Sequence, residues 1–178
     1  PDLRTGCRCQ ADGAARSMSP CPHLIDRIMV VMEAAFDPAY GEAWNRRQVA
    51  DALTFSSTHA LVVDAAGVPI ADGPATGPAP APAGFVLTRH VLDEEELLLI
   101  AVIPGARQRG VGAALMEHLF DAARARGIVR IFLEMRRGNP AELLYRAHGF
   151  VPIGERLKYY RTPGGERLDA ITFCRDFN

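Results

Sequence analysis

From Leu24 to Phe36 the apolar residues Leu24, Ile28, Val31, Met32 and Ala35 fall on one face of a helix, and Asn45 to Phe55 gives a second, shorter one. HALVVDA, residues 59–65, then reads as a strand. Gly84 to Val91 and Glu96 to Val102 read as neighbouring strands joined around the acidic run Asp93 to Glu96, the composition of a solvated turn. Helical spacing returns at Val111, Ala114, Leu115, Leu119 and Ala122, with Gly127 as the stop. IVRIFLEM, residues 128–135, predicts a largely buried strand. Asn139-Pro140-Ala141-Glu142 opens a short helix with a capping residue, a proline and an acidic group. That helix carries Leu143, Leu144 and Tyr145 and closes at Gly149. An extended run from Phe150 to Arg161, a Thr162 to Gly165 turn and a strand from Leu168 to Phe173 complete a hairpin.

Two stretches break the pattern. Residues 73–84 (GPATGPAPAPAG) cannot continue a central strand, because proline donates no ladder hydrogen bond; they predict a surface insertion or a substrate flap. Residues 1–22 have no apolar periodicity and contain Met18, so the expected organisation is a flexible extension over 1–22 followed by one domain over 23–178. Within the extension Cys7, Cys9, Cys21 and His23 supply side chains that zinc accepts, in the order C-x-C-x11-C-x-H. Their one-residue gaps are shorter than the two- to four-residue gaps typical of zinc pairs, so no metal is expected. Cys174, alone in the last strand, reads as a small core residue.

Composition narrows the function classes. A chain of 178 residues suits a single core, and a formal net charge of −1 gives no global attraction to nucleic acid or to a membrane surface. No apolar run approaches the ~20 residues of a membrane helix, so the expectation is a soluble, cytoplasmic protein, monomeric or homodimeric.

Candidate chemistry concentrates in LLLIAVIPGARQRGVG, residues 97–112, an apolar strand that runs through a proline turn into a glycine loop and a helix. Gly110 and Gly112 lack a Cβ, so backbone there can adopt left-handed conformations and approach a ligand closely. Unpaired N–H groups of the first helical turn, from Gln108 to Ala113 through Val111, then face an anion with the helix dipole behind them. Arg107 and Arg109 add charge. The dinucleotide fingerprint is absent, since Leu115 stands where its third glycine belongs, and no Gly-Lys-Ser/Thr of a nucleotide P-loop is present.

What remains, Arg107-x-x-Gly110-x-Gly112 after a buried strand, resembles the pyrophosphate loop of the GNAT superfamily of acyl-coenzyme A-dependent N-acetyltransferases. Within it, L-E-M-R-x-x-N followed by L-L-Y-R-x-x-G-F, and a tail of Tyr159-Tyr160, Pro163-Gly164-Gly165 and Asp169-Ala170-Ile171, resemble the bacterial ribosomal-protein alanine N-acetyltransferases. The resemblance runs from about Leu24 to Phe173 and departs at Gly138, where a serine is usual. It implies an α/β (α+β) GNAT fold: a mixed, mostly antiparallel central sheet flanked by helices on both faces. It also implies acetyl-CoA as cofactor, held by Ile100, Ala101 and Val102 of a bulged strand, by the segment Arg107, Gln108, Arg109, Gly110, Val111, Gly112 and Ala113, and by Asn139.

Transfer from a thioester to an amine needs a neutral amine and a proton for the departing thiolate. An α-amine titrates near about 7.7 to 8.0 and a lysine near about 10.4, so a protein N-terminus demands less of the base. Glu134 matches the general base of the ribosomal-protein enzymes and Glu96 that of histone-type relatives; both stay candidates, Glu134 favoured. Tyr145 matches the general acid. Phe36, Tyr40 and Trp44, with Tyr159 and Tyr160, are candidates for the acceptor wall, or, for the first three, ordinary core. The expected reaction is direct attack on acetyl-CoA in a ternary complex, the acceptor being a protein N-terminal α-amine such as that of a ribosomal protein. A small-molecule amine acceptor and a non-catalytic acyl-CoA-binding protein are the alternatives.

Overall fold

A computed structural model describes residues 22–71 and 80–177. The cysteines of the N-terminal extension and most of the proline-rich insertion, residues 73–79, lie outside the described residues. In chain order the elements are α1 (Pro22–Ala35), α2 (Arg46–Leu53), β1 (Thr58–Val63), β2 (Gly84–Val91), β3 (Glu94–Val102), α3 (Val111–Ala125), β4 (Arg130–Arg136), α4 (Glu142–Ala147), β5 (Val151–Arg161) and β6 (Arg167–Asp176). The six strands form one sheet in the order β1-β2-β3-β4-β6-β5. Only the β3 and β4 pair is parallel, which bears out a mixed and mostly antiparallel sheet.

Two apolar layers sandwich this sheet. On one face α1 and α2 bury Ile25, Ile28, Val31, Met32 and Val49 against Phe85, Leu87 and Leu99. Asn45 starts α2 with a capping box, its side chain accepting from the Gln48 amide while Gln48 reaches back to the Asn45 amide. On the other face α3 and Tyr145 of α4 pack against Val86, Leu97, Ile131, Leu133, Met135 and Phe173. The buried stripe of α3 is Val111, Leu115, Met116, Leu119, Phe120 and Ala123, rotated from the expected one so that Ala122 is exposed. Met116 and Phe120 remove more apolar surface from water than the alanines they displace. A methyl group on Gly84 would lie 2.9 Å from Leu115 Cδ1, so this glycine lets β2 pass beneath the start of α3.

Between β2 and β3 the acidic run is not a solvated turn. Leu92, with φ of 57°, makes the reversal with Asp93, and β3 starts at Glu94. Glu95 consequently points into the sheet face under α3 and is fully buried. Thr88 Oγ1 donates to it at 2.5 Å and Arg126, at the end of α3, binds both its oxygens at 2.7 Å. Beside them His59 and His90 share a 2.9 Å hydrogen bond. Burial, aided by the Arg126 charge and by His90 and opposed by Glu95, lowers the His59 pKa to about 4.

Two outcomes follow from this polar cluster. Arg126→Met strands a buried carboxylate, a change that costs about 3 kcal/mol and will show as a lower urea midpoint. His59 is neutral when folded but takes up a proton on unfolding below its ordinary value near 6.5. Stability should therefore fall as pH drops from about 6.5 toward 4, and His59→Phe should flatten that part of a stability-against-pH curve.

Candidate active site

The site begins where the sheet opens. β3 and β4 pair only from Glu94↔Arg130 to Leu97↔Leu133, and beyond that rung they diverge. The cause is a bulge in β3. Leu87 pairs with Leu99 and Thr88 with Leu97, which leaves Leu98 as an extra residue and bends the strand away from β4. The bulge thus lies two residues before Ile100, Ala101 and Val102, where the expected bulged strand was centred. Those three residues occupy the splayed half of β3, hydrogen-bonded to β2 on one side and facing the split on the other.

At the mouth of the split the chain turns through Pro104 to Ala106 and enters α3. Gln108 (φ 58°) and Gly110 (φ 87°) are both left-handed, and Gly110 is the helix N-cap without a side-chain capping bond. Ala114 N–H is the first to find a helical partner, Gly110 O, so the amides of Val111, Gly112 and Ala113 precede the hydrogen-bonded ladder and face outward. Alternating left-handed and other backbone makes a concavity of N–H groups. Nothing lies within 4 Å of where a Gly110 side chain would be, and Leu144 of α4 borders the cradle 3.4 Å from the same point on Gly112.

Arg107 does not add its guanidinium to that cradle. Its Nε donates to Val102 O at 3.0 Å and its Nη2 to Ala35 O at 2.8 Å, tying the end of β3 to the end of α1. Arg109 and Gln108 are exposed beside the loop. Asn139 does not cap α4: its side chain accepts from the Ala141 amide at 3.0 Å in the preceding turn, and the helix starts at Glu142 after Ala141, an N-cap with no side-chain bond.

The candidate base and acid lie on β4 and α4. Glu134, on β4, is 21% exposed and lies 3.3 Å from Arg156 of β5. Tyr145, on α4, is buried against Phe150 and Phe173. Burial first, then the nearby Glu42 carboxylate and Tyr160, hold its phenol well above the ordinary value. Tyr160 is pushed up to about 12 by burial and then by Glu134 and Glu42. Glu134, Glu42, Tyr145 and Tyr160 therefore form one electrostatic neighbourhood. Glu96 stands apart from it, opposite Phe132 and paired with Arg89 at 2.9 Å. Tyr159 is half exposed and meets the Tyr160 ring edge-on.

The acceptor-wall candidates divide. Phe36 and Trp44 are half-buried against the α1 and α2 core layer. Tyr40 lies under the Arg136 guanidinium, 3.5 Å from ring to cation, and Arg136 Nε is 3.2 Å from Glu42. Arg136 thus clamps the α1 to α2 loop onto β4 two residues from Glu134. Sequence reasoning assigned no role to Glu42, Arg136 or Arg156. Arg136 lies inside the motif around Glu134, the one signal available, whereas Glu42 and Arg156 reach the site from distant segments. Among the described residues no cluster of three or more His, Cys, Asp or Glu could hold a metal ion.

Comparison with known proteins agrees with this geometry. Residues 70–152 match the acetyltransferase (GNAT) domain family. The ribosomal protein bS18-alanine N-acetyltransferase of Escherichia coli (strain K12) is 44% identical over 90 residues, 50% of this chain and 60% of that protein. The N-alpha-acetyltransferase RimI of Mycobacterium tuberculosis is 44% identical over 84 residues, 47% of this chain and 49% of that protein. In sequence the chain thus spans about half to three fifths of the length of these two relatives. The crystal structure of the ribosomal-protein-S18-alanine N-acetyltransferase from Escherichia coli superposes with a TM-score of 0.68 at 28% identity, covering 89% of this chain and 90% of that one. Over residues 70–152, just under half of its length, this chain is similar to the GNAT acetyltransferase domain family. Within that class it is similar to proteins named for acetylating the alanine of a ribosomal protein.

Replacing Arg107 by alanine removes two charge-assisted bonds to main-chain carbonyls. The expected loss is about 1 to 2 kcal/mol, read by thermal unfolding, and Arg107→Lys should recover less than half because an ammonium cannot span both oxygens in one plane.

Proposed function

We propose that this protein transfers an acetyl group from acetyl-CoA to the N-terminal α-amine of a protein, by direct attack with both substrates bound. The observation that carries the reading is the amide cradle at Gly110 to Ala113, set at the mouth of the split between β3 and β4, with Glu134 on β4 and Tyr145 on the following helix α4. The residues present fit the cofactor. A concavity of N–H groups at a helix N-terminus, with open space at Gly110, suits a pyrophosphate, and the splayed edge of β3 offers main-chain groups to an extended amide arm. Acetyl-CoA would supply the activated acyl group.

The chain supplies binding and proton handling. Amides of Ile100 and Val102 are available to polarise a carbonyl laid along the splayed strand, whereas Ala101, like Ile103 bonded to Ala83 O, turns its N–H to the β2 edge. Glu134 is half-screened from water and can take a proton from an ammonium directly or through a water molecule. Tyr145 keeps its proton across the physiological range and so can act as a donor. A thiolate released there would be desolvated too, which raises its own proton affinity toward that of the phenol. Glu96, held by Arg89 on the fully paired part of the sheet, is the less suitable base. The relatives named for ribosomal protein bS18-alanine favour an N-terminal alanine as acceptor.

Acetyl transfer measured on a peptide beginning with alanine and on a panel of small amines tests the reading. Glu134→Gln and Tyr145→Phe should each lower kcat on the peptide by about a hundredfold with little change in the KM for acetyl-CoA, and Glu96→Gln should lower it far less. Activity confined to small amines, or full turnover in both variants, would overturn it.

A further inference from the structure

The Glu134 carboxylate is already paired with a cation. Arg156 of β5 comes within 3.3 Å of it, although β6 lies between β4 and β5. Arg136, Ala170 and Arg156 form one row across those three strands, and Glu134 stands two residues before Arg136 on β4. Partnered residues share a face, as do residues two apart on a strand, so Arg156 and Glu134 project together. Ala170 carries only a methyl group, which lets the long arginine stem cross β6.

The strand is shaped to hold this cation. The register of β5 against β6 shifts between Arg156 and Tyr160, and within that shift Lys158 is left-handed, with φ of 54°, its N–H donating to Asp169 Oδ1 at 2.9 Å. The irregularity brings the Tyr159 ring to Arg156, 4.9 Å from guanidinium carbon to ring centre, so a ring as well as a carboxylate steadies the charge. Glu42, the second carboxylate of this neighbourhood, is bound by Arg136 at 3.2 Å. Thr172, opposite Glu134 on β6, is uncharged, and Tyr160 and Tyr145 keep their protons. Each carboxylate thus has its own arginine, and the place where an acceptor amine would meet Glu134 carries no net negative charge.

An ammonium gains little from a carboxylate already paired and is repelled by the guanidinium beside it. An α-amine, near about 7.7 to 8.0, loses its proton to water at modest cost, whereas a lysine, near about 10.4, does not. We infer that Arg156 sets acceptor specificity by masking the Glu134 carboxylate from cationic amines, so that the site takes an amine that arrives neutral, such as an N-terminal α-amine, and turns away lysine side chains and polyamines. The inference rests on the proposed role of Glu134 as base and adds the residue that decides which amines reach it.

The test uses the full chain with CoA, which permits no turnover, and two peptides of equal size: Ala-Gly-Gly-Gly amide and its lactyl analogue, in which a hydroxyl replaces the amine. At about pH 6 the alanine peptide is an ammonium. Calorimetry on the unsubstituted protein should find it bound no more tightly than the lactyl peptide. Arg156→Gln should improve its affinity relative to the lactyl peptide about tenfold, the effect of one unit charge a few ångström away in a half-solvated place, and Arg156→Lys, which keeps the charge, should not. Arg156 is more than half exposed, so neither substitution threatens the fold. With acetyl-CoA, Arg156→Gln should also raise kcat/KM on an N-blocked lysine peptide about tenfold relative to the alanine peptide.

Tighter binding of the ammonium than of the lactyl peptide by the unsubstituted protein, or a relative affinity or rate ratio that Arg156→Gln leaves unchanged, overturns the inference and leaves N-terminal acetylation in place. A gain shared by Arg156→Lys also overturns it, because the effect then belongs to the packing of the guanidinium on Tyr159 and not to its charge. The expected affinities without acetylation of any peptide support the role of Arg156 and remove the proposed reaction.

Discussion

A β-sheet satisfies its main-chain groups by pairing every interior strand on both sides, and in this protein β3 is released from that rule beyond Leu97. The extra residue at Leu98 twists the strand away from β4, so the splayed half of β3 keeps its bonds to β2 while its other edge faces the split. The core layers on both faces remain closed across this defect, with Leu99 and Ala101 packed toward α1 and α2 and Leu97, Leu133 and Met135 toward α3. The opening is therefore a polar slot between hydrophobic layers. The row of free amides lies at its mouth, Glu134 stands on the strand that borders it, and Tyr145 packs on Phe150 and Phe173 in the core layer under α3.

Polar side chains hold the slot's boundaries in place, and most of them are arginines bound to main chain or carboxylate. Arg107 joins β3 to α1 through two carbonyls. Arg136 carries the α1 to α2 loop by stacking on Tyr40 and pairing with Glu42, and Arg126 fixes the closed end of the sheet through buried Glu95. The planar guanidinium suits each task, because it can bond two oxygens or lie flat on a ring without losing its charge. Arg107 also shows that a basic residue beside an anion cradle can serve the architecture rather than the anion: the cradle needs only the amides and the helix dipole.

Electrostatics inside the slot favours neutral phenols. Tyr145 and Tyr160 are both raised by burial and by the carboxylates around them, while Glu134, 21% exposed, is paired with Arg156.

Much of this was legible in the sequence where the physics is local. Helical spacing, proline and glycine punctuation and the run of buried strand residues depend on near neighbours, so the element order, the glycine cradle and the Tyr145 helix could be read directly, whereas the cap expected at Asn139 was not formed and α4 begins after Ala141. The boundary at Glu94 could not, because the reversal is made by Leu92, a residue that does not advertise a left-handed turn, and an acidic run gives no hint that Arg126 waits for Glu95 across the sheet. Nor could the bulge be placed, since which residue of an apolar strand is left unpaired depends on the register of its neighbour. Glu42, Arg136 and Arg156 became part of the site only when segments far apart in the chain were brought against β4, and Arg107 found one of its two partners 72 residues away at Ala35. The sequence by itself determined the elements and the backbone cradle, which are set by short-range sterics and hydrogen bonding; the tertiary structure alone decided which charges meet, because those contacts exist only after long-range closure of the sheet and its two layers.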